Sequence, residues 1–365
     1  MKKNKLVITI ILIAIFLSAC SDSTVYHKFK YSFFNTFDTI IDITVYTASE
    51  KDADKYFEYA EKRFHELHKY YDKYNEYENI NNVKTINKNA GIKPVKVEKD
   101  LFDLIELSIK YYNDYSDETD ISMGKVLNIW SDWRDEVEDG EIPADSKHLP
   151  TKEILKEADR FTGIKNLVLN KKDSTIFINN NDTQIDLGAI AKGYATEIIA
   201  NELVDMGLES GIISAGGNVK IIGKPLDNMR QKWGVAIRNP KKANYDENPD
   251  IPDFVDIVFA NDTCVVTSGD YQRYIDIDGR RFHHLIDKDT LWPGDYFSSV
   301  SIIHPDSGFA DFMSTAIFLM PYEEGRKLVE SYDDLEALWV FEDDNIEFTD
   351  GLKTLLKSQG ASGGK

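Results

Sequence analysis

A run of strand-like segments in the second half of the chain constrains the fold more than any other feature. Six segments between residues 211 and 303 have the composition of strands: "GIISA", "VKIIG", "WGVAIR", "FVDIVFA", "TCVVTS" and "SSVSII". Helical patterns occur at residues 52–74, 101–112 and 310–332, and in the first of them apolar residues from Phe57 to Tyr71 recur on one helical face. Runs of strands with helices between them predict an α+β fold with a largely antiparallel sheet.

The N-terminus has the pattern of a secretory signal. A basic start, "MKKNK", precedes twelve apolar residues, "LVITIILIAIFL", a run that is short for a bilayer span. The following "LSAC" resembles a bacterial lipobox, and the alternative is an uncleaved membrane anchor; both place the folded part on the extracytoplasmic face of the cell membrane. The predicted organisation is a signal peptide at 1–19, lipidation at Cys20, a tether at 20–32, one folded domain at 33–352 and a flexible tail at 353–365.

The net charge excludes some partners. It is −20 for the whole chain, and removing residues 1–19 takes away three lysines and no acids, which leaves −23. This acidic charge argues against binding of the protein surface to nucleic acid or to anionic lipid. Tethering to the membrane must therefore come from Cys20. The other cysteine, Cys264, lies in a strand pattern and is expected to be a small core residue.

The stretch "DLGAIAKGYATE" at 186–197 is the first candidate site. Its apolar spacing predicts a helix beginning near residue 190, and a helix N-terminus with nearby glycines suits a phosphate. Lys192 falls in the first turn, where the helix dipole disfavours a cation, so an anion nearby would explain it. The alternative is that Lys192 is simply solvated and Asp186 is an ordinary N-terminal acid.

Three further segments carry groups that suit a ligand. Gly216 and Gly217 in "SAGGNVKIIG" form either a tight turn only or a close backbone approach to a flat ligand. Ser268 in "TSGDYQRY" directly follows a strand pattern. "RRFHHLID" contains two histidines, and strand alternation requires that at most one of them faces a site; His284 is the candidate general base.

The segment "ADFMSTA" places oxygen ligands on one helical face. Asp311, Ser314 and Thr315 stand at i, i+3 and i+4. A carboxylate with hydroxyls suits Mg²⁺ or Ca²⁺ better than zinc. The alternative is an N-terminal capping cluster that holds no metal.

Taken in order, these segments resemble the ApbE family, the FAD:protein FMN transferases, over residues 33–345. The resemblance implies a T-fold-like α+β body, FAD as substrate and Mg²⁺. It implies transfer of FMN to a threonine or serine of an acceptor protein, with AMP leaving, and membrane-tethered electron-transfer flavoproteins are the typical acceptors. His284 would then be the base for the acceptor hydroxyl. The segments "FDT" at 37–39 and "IDKDTLWPG" depart from the family pattern.

The resemblance also assigns residues. The Ala189 carbonyl, Asp311, Ser314 and Thr315 would surround Mg²⁺. FAD would contact Phe37, Tyr74, Glu118, Thr119, Asp120, Asp186, Lys192, Gly216, Gly217, Asn218, Ser268 and Leu285. Two other functions compete with transfer: hydrolysis of FAD to FMN and AMP, and flavin binding without chemistry. The Asp311 cluster and His284 argue against the pure binder, because binding alone needs no metal.

Overall fold

The computed structural model describes residues 24–242 and 251–364 and confirms the predicted α+β class. The predicted signal peptide, Cys20 and the first residues of the predicted tether lie outside these residues. Within the described residues, no helix is both long enough and apolar enough to cross a bilayer.

The main sheet has eight antiparallel strands in the order β1-β2-β6-β7-β10-β13-β14-β15. Smaller sheets are β3-β5-β4, β8-β9 and β11-β12. The strands are β1 His27–Thr36, β2 Thr39–Thr47, β3 Val95–Lys96, β4 Leu167–Asn170, β5 Thr175–Ile178, β6 Gly211–Ala215, β7 Asn218–Ile222, β8 Trp233–Arg238, β9 Phe254–Ala260, β10 Cys264–Gly269, β11 Tyr274–Ile277, β12 Arg280–His283, β13 Ser299–His304, β14 Glu336–Val340 and β15 Ile346–Phe348.

Six of the eight described helices share a core with one face of the main sheet, whereas the helices at 124–138 and 152–159 pack with the β11–β12 hairpin in a separate core. The described helices are α1 Glu50–Tyr71, α2 Val83–Lys88, α3 Lys99–Asp114, α4 Gly124–Glu138, α5 Lys152–Asp159, α6 Ala191–Asp205, α7 Ser307–Phe318 and α8 Tyr322–Val329. The apolar stripe of α1 is buried from Ala53 to Tyr71, as predicted, and Ser49 caps the helix by accepting a hydrogen bond from the Asp52 N–H.

Alternation along the strands divides the interior into two layers. Val266 and Ile302 belong to the core beneath the helices, whereas their neighbours Val265 and Ile303 pack against the β8-β9 sheet on the opposite face. Cys264 is fully buried, as predicted, and burial raises the pKa of its thiol. The main sheet is therefore covered on both faces and forms a rigid base for the loops at its edges.

Both ends of the ordered domain differ from the prediction. Strand β1 begins at His27, inside the predicted tether, because Phe29 and Phe33 alternate toward the core beneath α1. The predicted flexible tail is also ordered: Leu356 is fully buried, and the Gln231 N–H donates to the Gly363 carbonyl. Leu356 anchors this C-terminal segment against β9, because Leu356 and Val258 form an isolated β-bridge.

Candidate active site

A single large cleft gathers most of the predicted site residues. Its volume is about 840 Å³, within the range of small-molecule and cofactor sites. Its walls come from the β1–β2 turn, residues 71–75 after α1, residues 118–121, α4, residues 186–192, the β6–β7 turn, β8, β10, residues 284–286 and α7.

Asp186 is held at the start of the turn that leads into α6. Its carboxylate lies 2.6 Å from the Lys73 ammonium and accepts a 2.7 Å hydrogen bond from the Gly188 N–H. Burial disfavours the carboxylate, but Lys73 and the Gly188 N–H outweigh burial and lower the pKa of Asp186. Asp186 is therefore ionised and paired, which differs from an ordinary solvated N-terminal acid.

Lys192 lies in the first turn of α6 and lines the cleft. Among the described residues its ammonium has no carboxylate within ion-pair distance. Arg134, Arg273 and Lys73 line the same cleft, which also contains several carboxylates, so its lining carries groups of both signs. Helix N–H groups together with these cations form a site for a phosphate-bearing ligand.

The glycine pair forms a tight turn that also borders the cleft. Gly216 and Gly217 have φ values of +52° and +91° and join the paired residues Ala215 and Asn218. Thr39 of the neighbouring β2 leaves no room for a side chain at Gly216. Both interpretations of this pair are therefore compatible: it is a turn, and its backbone is open to a ligand.

Asp311 is buried at the contact between α6 and α7. Its Oδ2 accepts a 2.8 Å hydrogen bond from the Gly193 N–H, whereas α7 itself is capped by Asp306. The capping alternative is thus correct in part, because Asp311 caps a different helix from its own. Burial raises the pKa of Asp311, against the opposing effects of Lys192 and the Gly193 N–H.

The Ala189 carbonyl lies just before Ile190, the N-cap of α6. The Gly193 N–H belongs to the first turn of α6, whose N–H groups have no carbonyl partner within the helix. Here it bonds to Asp311, and no hydrogen bond to the Ala189 carbonyl is found in the described part of the chain. Asp311, Thr315 and Ala189 all line the cleft.

These oxygens fit Mg²⁺ if the substrate completes the shell. Residues 24–242 and 251–364 contain no group of three or more His, Cys, Asp or Glu side chains arranged for a metal. Mg²⁺ usually takes one or two carboxylates together with substrate phosphates and waters, so a single carboxylate beside a phosphate site is compatible with it.

Two predicted contacts do not face the cleft. Ser314 donates to the Asp311 carbonyl and lies 2.8 Å from the Ser268 hydroxyl, away from the cleft. Asn218 is fully buried and accepts a 2.6 Å hydrogen bond from the Ser307 hydroxyl at the start of α7. Both side chains brace α7, and the structure does not bring either of them to the cleft where the predicted metal and FAD contacts would lie. Ser268 does line the cleft.

Only one of the two adjacent histidines faces the cleft, as predicted. His283 is buried, donates from Nε2 to the Gly294 carbonyl and accepts the Leu285 N–H at Nδ1. His284 lines the cleft, and its Nδ1 has no hydrogen-bond partner in the described residues. Strand β12 ends at His283, so alternation stops there and Leu285 lines the cleft as well.

The pKa of His284 is lowered well below 6.5. Burial is the main cause, and nearby cations such as Arg273 and Arg134 add to it. The imidazole is therefore neutral and can accept a proton. A bound pyrophosphate would offset the cations and raise the basicity of His284.

The remaining predicted contacts all line the cleft. Phe37 occupies the β1–β2 turn with φ +51° and packs against His68, whose Nδ1 accepts the Phe37 N–H. Tyr74 is exposed, and the Lys73 ammonium lies over its ring, 4.8 Å from the ring centroid. The three acidic or hydroxyl residues of the next segment, Glu118, Thr119 and Asp120, lie at the cleft wall, and burial raises the pKa of both carboxyls.

Sequence reasoning missed Lys73 and Arg134. Lys73 lies just after the apolar stripe of α1, where the sequence is polar and has no recognisable motif. Arg134 lies on α4, whose sequence contains no motif either. Arg134 is partly buried, has no carboxylate partner in the described residues, and donates a 3.5 Å hydrogen bond to the His283 carbonyl. An arginine so placed suits an anionic ligand, but only the fold brings it to the cleft.

Fold and cleft together define an α+β protein with a cleft of cofactor size at the junction of α6 and α7. A sequence model of the ApbE family matches residues 37–339, and the chain belongs to that family.

Relatives and solved structures agree with this assignment. The chain is 29% identical to the FAD:protein FMN transferase of Treponema pallidum over 279 residues, covering 73% of this chain and 72% of the relative. It is 26% identical to that of Klebsiella pneumoniae, covering 72% and 75%. The ApbE protein of Thermotoga maritima has a similar structure, with a TM-score of 0.75 at 27% identity over 90% of this chain and 98% of that one. The flavin transferase ApbE of Vibrio cholerae has the same fold, with a TM-score of 0.71 at 21% identity over 89% and 97%.

Proposed function

We propose that this protein is an FAD:protein FMN transferase that cleaves the FAD pyrophosphate and attaches FMN to a threonine or serine of an acceptor flavoprotein, releasing AMP. The observation that carries the proposal is the junction of α6 and α7. There Lys192, the α6 N-terminus, the Asp311 carboxylate and Ala189 border one cleft. The names of the relatives support an enzyme of this kind.

The positive groups of the cleft bind and orient the pyrophosphate. Lys192 and Arg134 have no carboxylate partners among the described residues, so a bound phosphate would satisfy them. Lys73 is already neutralised by Asp186 and is better placed to hold the turn before α6. Phe37 and Tyr74 offer aromatic faces for the flat rings of the dinucleotide.

Asp311, Thr315 and the Ala189 carbonyl would hold Mg²⁺, which when bound neutralises charge on the phosphoryl oxygens. His284 accepts the proton of the acceptor hydroxyl as its oxygen bonds to the FMN phosphorus. The bond from that phosphorus to the bridging oxygen breaks, and the electron pair leaves with AMP. No proton need be added to the AMP phosphate, so one base is sufficient.

We also propose that Cys20 is lipidated and holds the protein at the extracytoplasmic face of the membrane. The basic start, the short apolar run and "LSAC" support this. Membrane-tethered electron-transfer flavoproteins are the expected acceptors, because they lie on the same face.

Product analysis separates transfer from its two rivals. The full chain is incubated with FAD and Mg²⁺, with and without an apo acceptor, and nucleotides are measured by chromatography. Transfer predicts AMP without free FMN and only when the acceptor is present. Equal amounts of FMN and AMP without acceptor would indicate hydrolysis, and unchanged FAD under all conditions would indicate a binding protein.

A further inference from the structure

The N-termini of α6 and α7 cap each other. Asp311 of α7 accepts the Gly193 N–H of α6, and Glu197 of α6 accepts the Ser307 N–H of α7, both at 2.8 Å. Each carboxylate thus meets the partially positive end of the other helix. Gly193 makes this approach possible, because a side chain there would collide with the Ser307 carbonyl.

Lys220 of β7 secures this arrangement from outside the cleft. Its ammonium lies 2.8 Å from Glu197 Oε2 and 2.5 Å from the Pro305 carbonyl, just before α7. The exposed fractions of the two side chains are 11% for Lys220 and 18% for Glu197, and neither residue lines the cleft. A buried ion pair adds little net stability. The role of this pair is therefore to fix positions, because it connects α6 and a residue just before α7 to the same strand, β7.

We infer that Glu197 and Lys220 are positioning residues that set the distance between Asp311 and the Ala189 carbonyl, and so tune the affinity of the cleft for a divalent cation. If α7 shifted along α6, the Gly193 N–H would separate from Asp311, and the carboxylate would move relative to the Ala189 carbonyl just before α6. The spacing of the two cation ligands would then change. The inference rests on the metal assignment in the proposed function.

The test measures metal binding directly, with Mn²⁺ as the probe and free Mn²⁺ followed by electron paramagnetic resonance, with and without FAD. Lys220→Met should weaken Mn²⁺ binding by about 10-fold, the lower end of the effect of losing a direct partner of a metal ligand, because Lys220 acts through Glu197. Lys220→Arg should recover part of the affinity. Amide hydrogen exchange of the peptide containing Gly193 should be faster in Lys220→Met.

Arg63→Met is the matched control. Arg63 has an exposed side-chain fraction of 14% and pairs with Glu202 of α6 and Asp100 of α3, away from α7. Arg63→Met should lower the free energy of unfolding and leave both the Mn²⁺ affinity and the amide hydrogen exchange of Gly193 unchanged. If Lys220→Met does not fold, Glu197→Gln combined with Lys220→Met removes both buried charges together.

Three results would overturn the inference. Parental Mn²⁺ affinity in folded Lys220→Met would show that the pair does not position the ligands. Equal weakening by Arg63→Met would show a general loosening of α6. Absence of Mn²⁺ binding to the parental protein with FAD would remove the metal assignment itself, and product analysis would then decide separately whether transfer survives.

Discussion

Replacing Gly193 by alanine should destabilise this protein, although the same change usually stabilises a helix. Gly193 lies in the first turn of α6 with ordinary helical backbone angles, so an alanine there would contribute about 1 kcal/mol of helix propensity. Its methyl group would, however, lie within 3.0 Å of the Ser307 carbonyl oxygen, Asp311 Cβ and Asn218 Nδ2.

The size of the effect follows from the neighbours. Ordinary contact needs 3.4 to 4 Å, so the two helices must separate by roughly 1 Å. A backbone carbonyl cannot rotate away as a side-chain end can, which places the overpacking cost at about 3 kcal/mol. The net loss is then about 2 kcal/mol, or a fall in Tm of roughly 3 °C for a domain of this size. A displacement of about 1 Å at Asp311 should also slow transfer about 100-fold.

Chemical denaturation and the transfer rate of the folded variant are the measurements. Gly325→Ala in α8 is the matched control, because its methyl would meet only flexible side-chain atoms, the nearest at 3.3 Å, and should be close to neutral. A Gly193→Ala protein as stable and as active as the parent would refute the description of the α6–α7 contact.

Three other changes test separate parts of the site. Asp311→Asn keeps an oxygen for the Gly193 N–H but removes the charge, so transfer across a Mg²⁺ titration should fall about 100-fold or more while the Tm changes little; full Mg²⁺-responsive activity would rule out the metal role. Acid should destabilise the fold through His283, because burial lowers its folded-state pKa to about 4 from 6.5 and the unfolded chain binds the extra proton. The loss is about 3 kcal/mol between pH 6.5 and pH 4, and urea unfolding of His283→Gln should show a flatter pH dependence; an equally steep one would contradict the assignment. Cys20→Ala should release the protein from membranes or leave its signal uncleaved, and unchanged fractionation with an unchanged N-terminal mass would exclude lipidation.

Local pattern was sufficient to predict most of the fold. The buried stripe of α1, the helix beginning at Ala191 and the six strands after residue 210 depend on periodicity that neighbouring residues carry themselves. The two domain ends were predicted less well. β1 and the segment around Leu356 each contain only a few apolar residues. The burial of those residues depends on partners that are distant in the sequence.

The site shows the same division between local and long-range information. Helical spacing places Asp311, Ser314 and Thr315 on one face, but it cannot tell which side of that face meets the cleft. Thr315 meets it, whereas Ser314 turns toward Ser268. Lys73 reaches Asp186 across more than a hundred residues of sequence, so no local motif could reveal their pairing.

The mass of an acceptor protein after reaction tests the central claim most directly. The full chain, FAD and Mg²⁺ are incubated with an apo flavoprotein that carries its flavin on a threonine, and with the same acceptor bearing valine at that position. Transfer through the α6–α7 site predicts that the threonine acceptor gains the mass of one FMN, that the valine acceptor gains none, and that Asp311→Asn slows the gain about 100-fold or more. An unmodified threonine acceptor alongside free FMN and AMP would contradict the account.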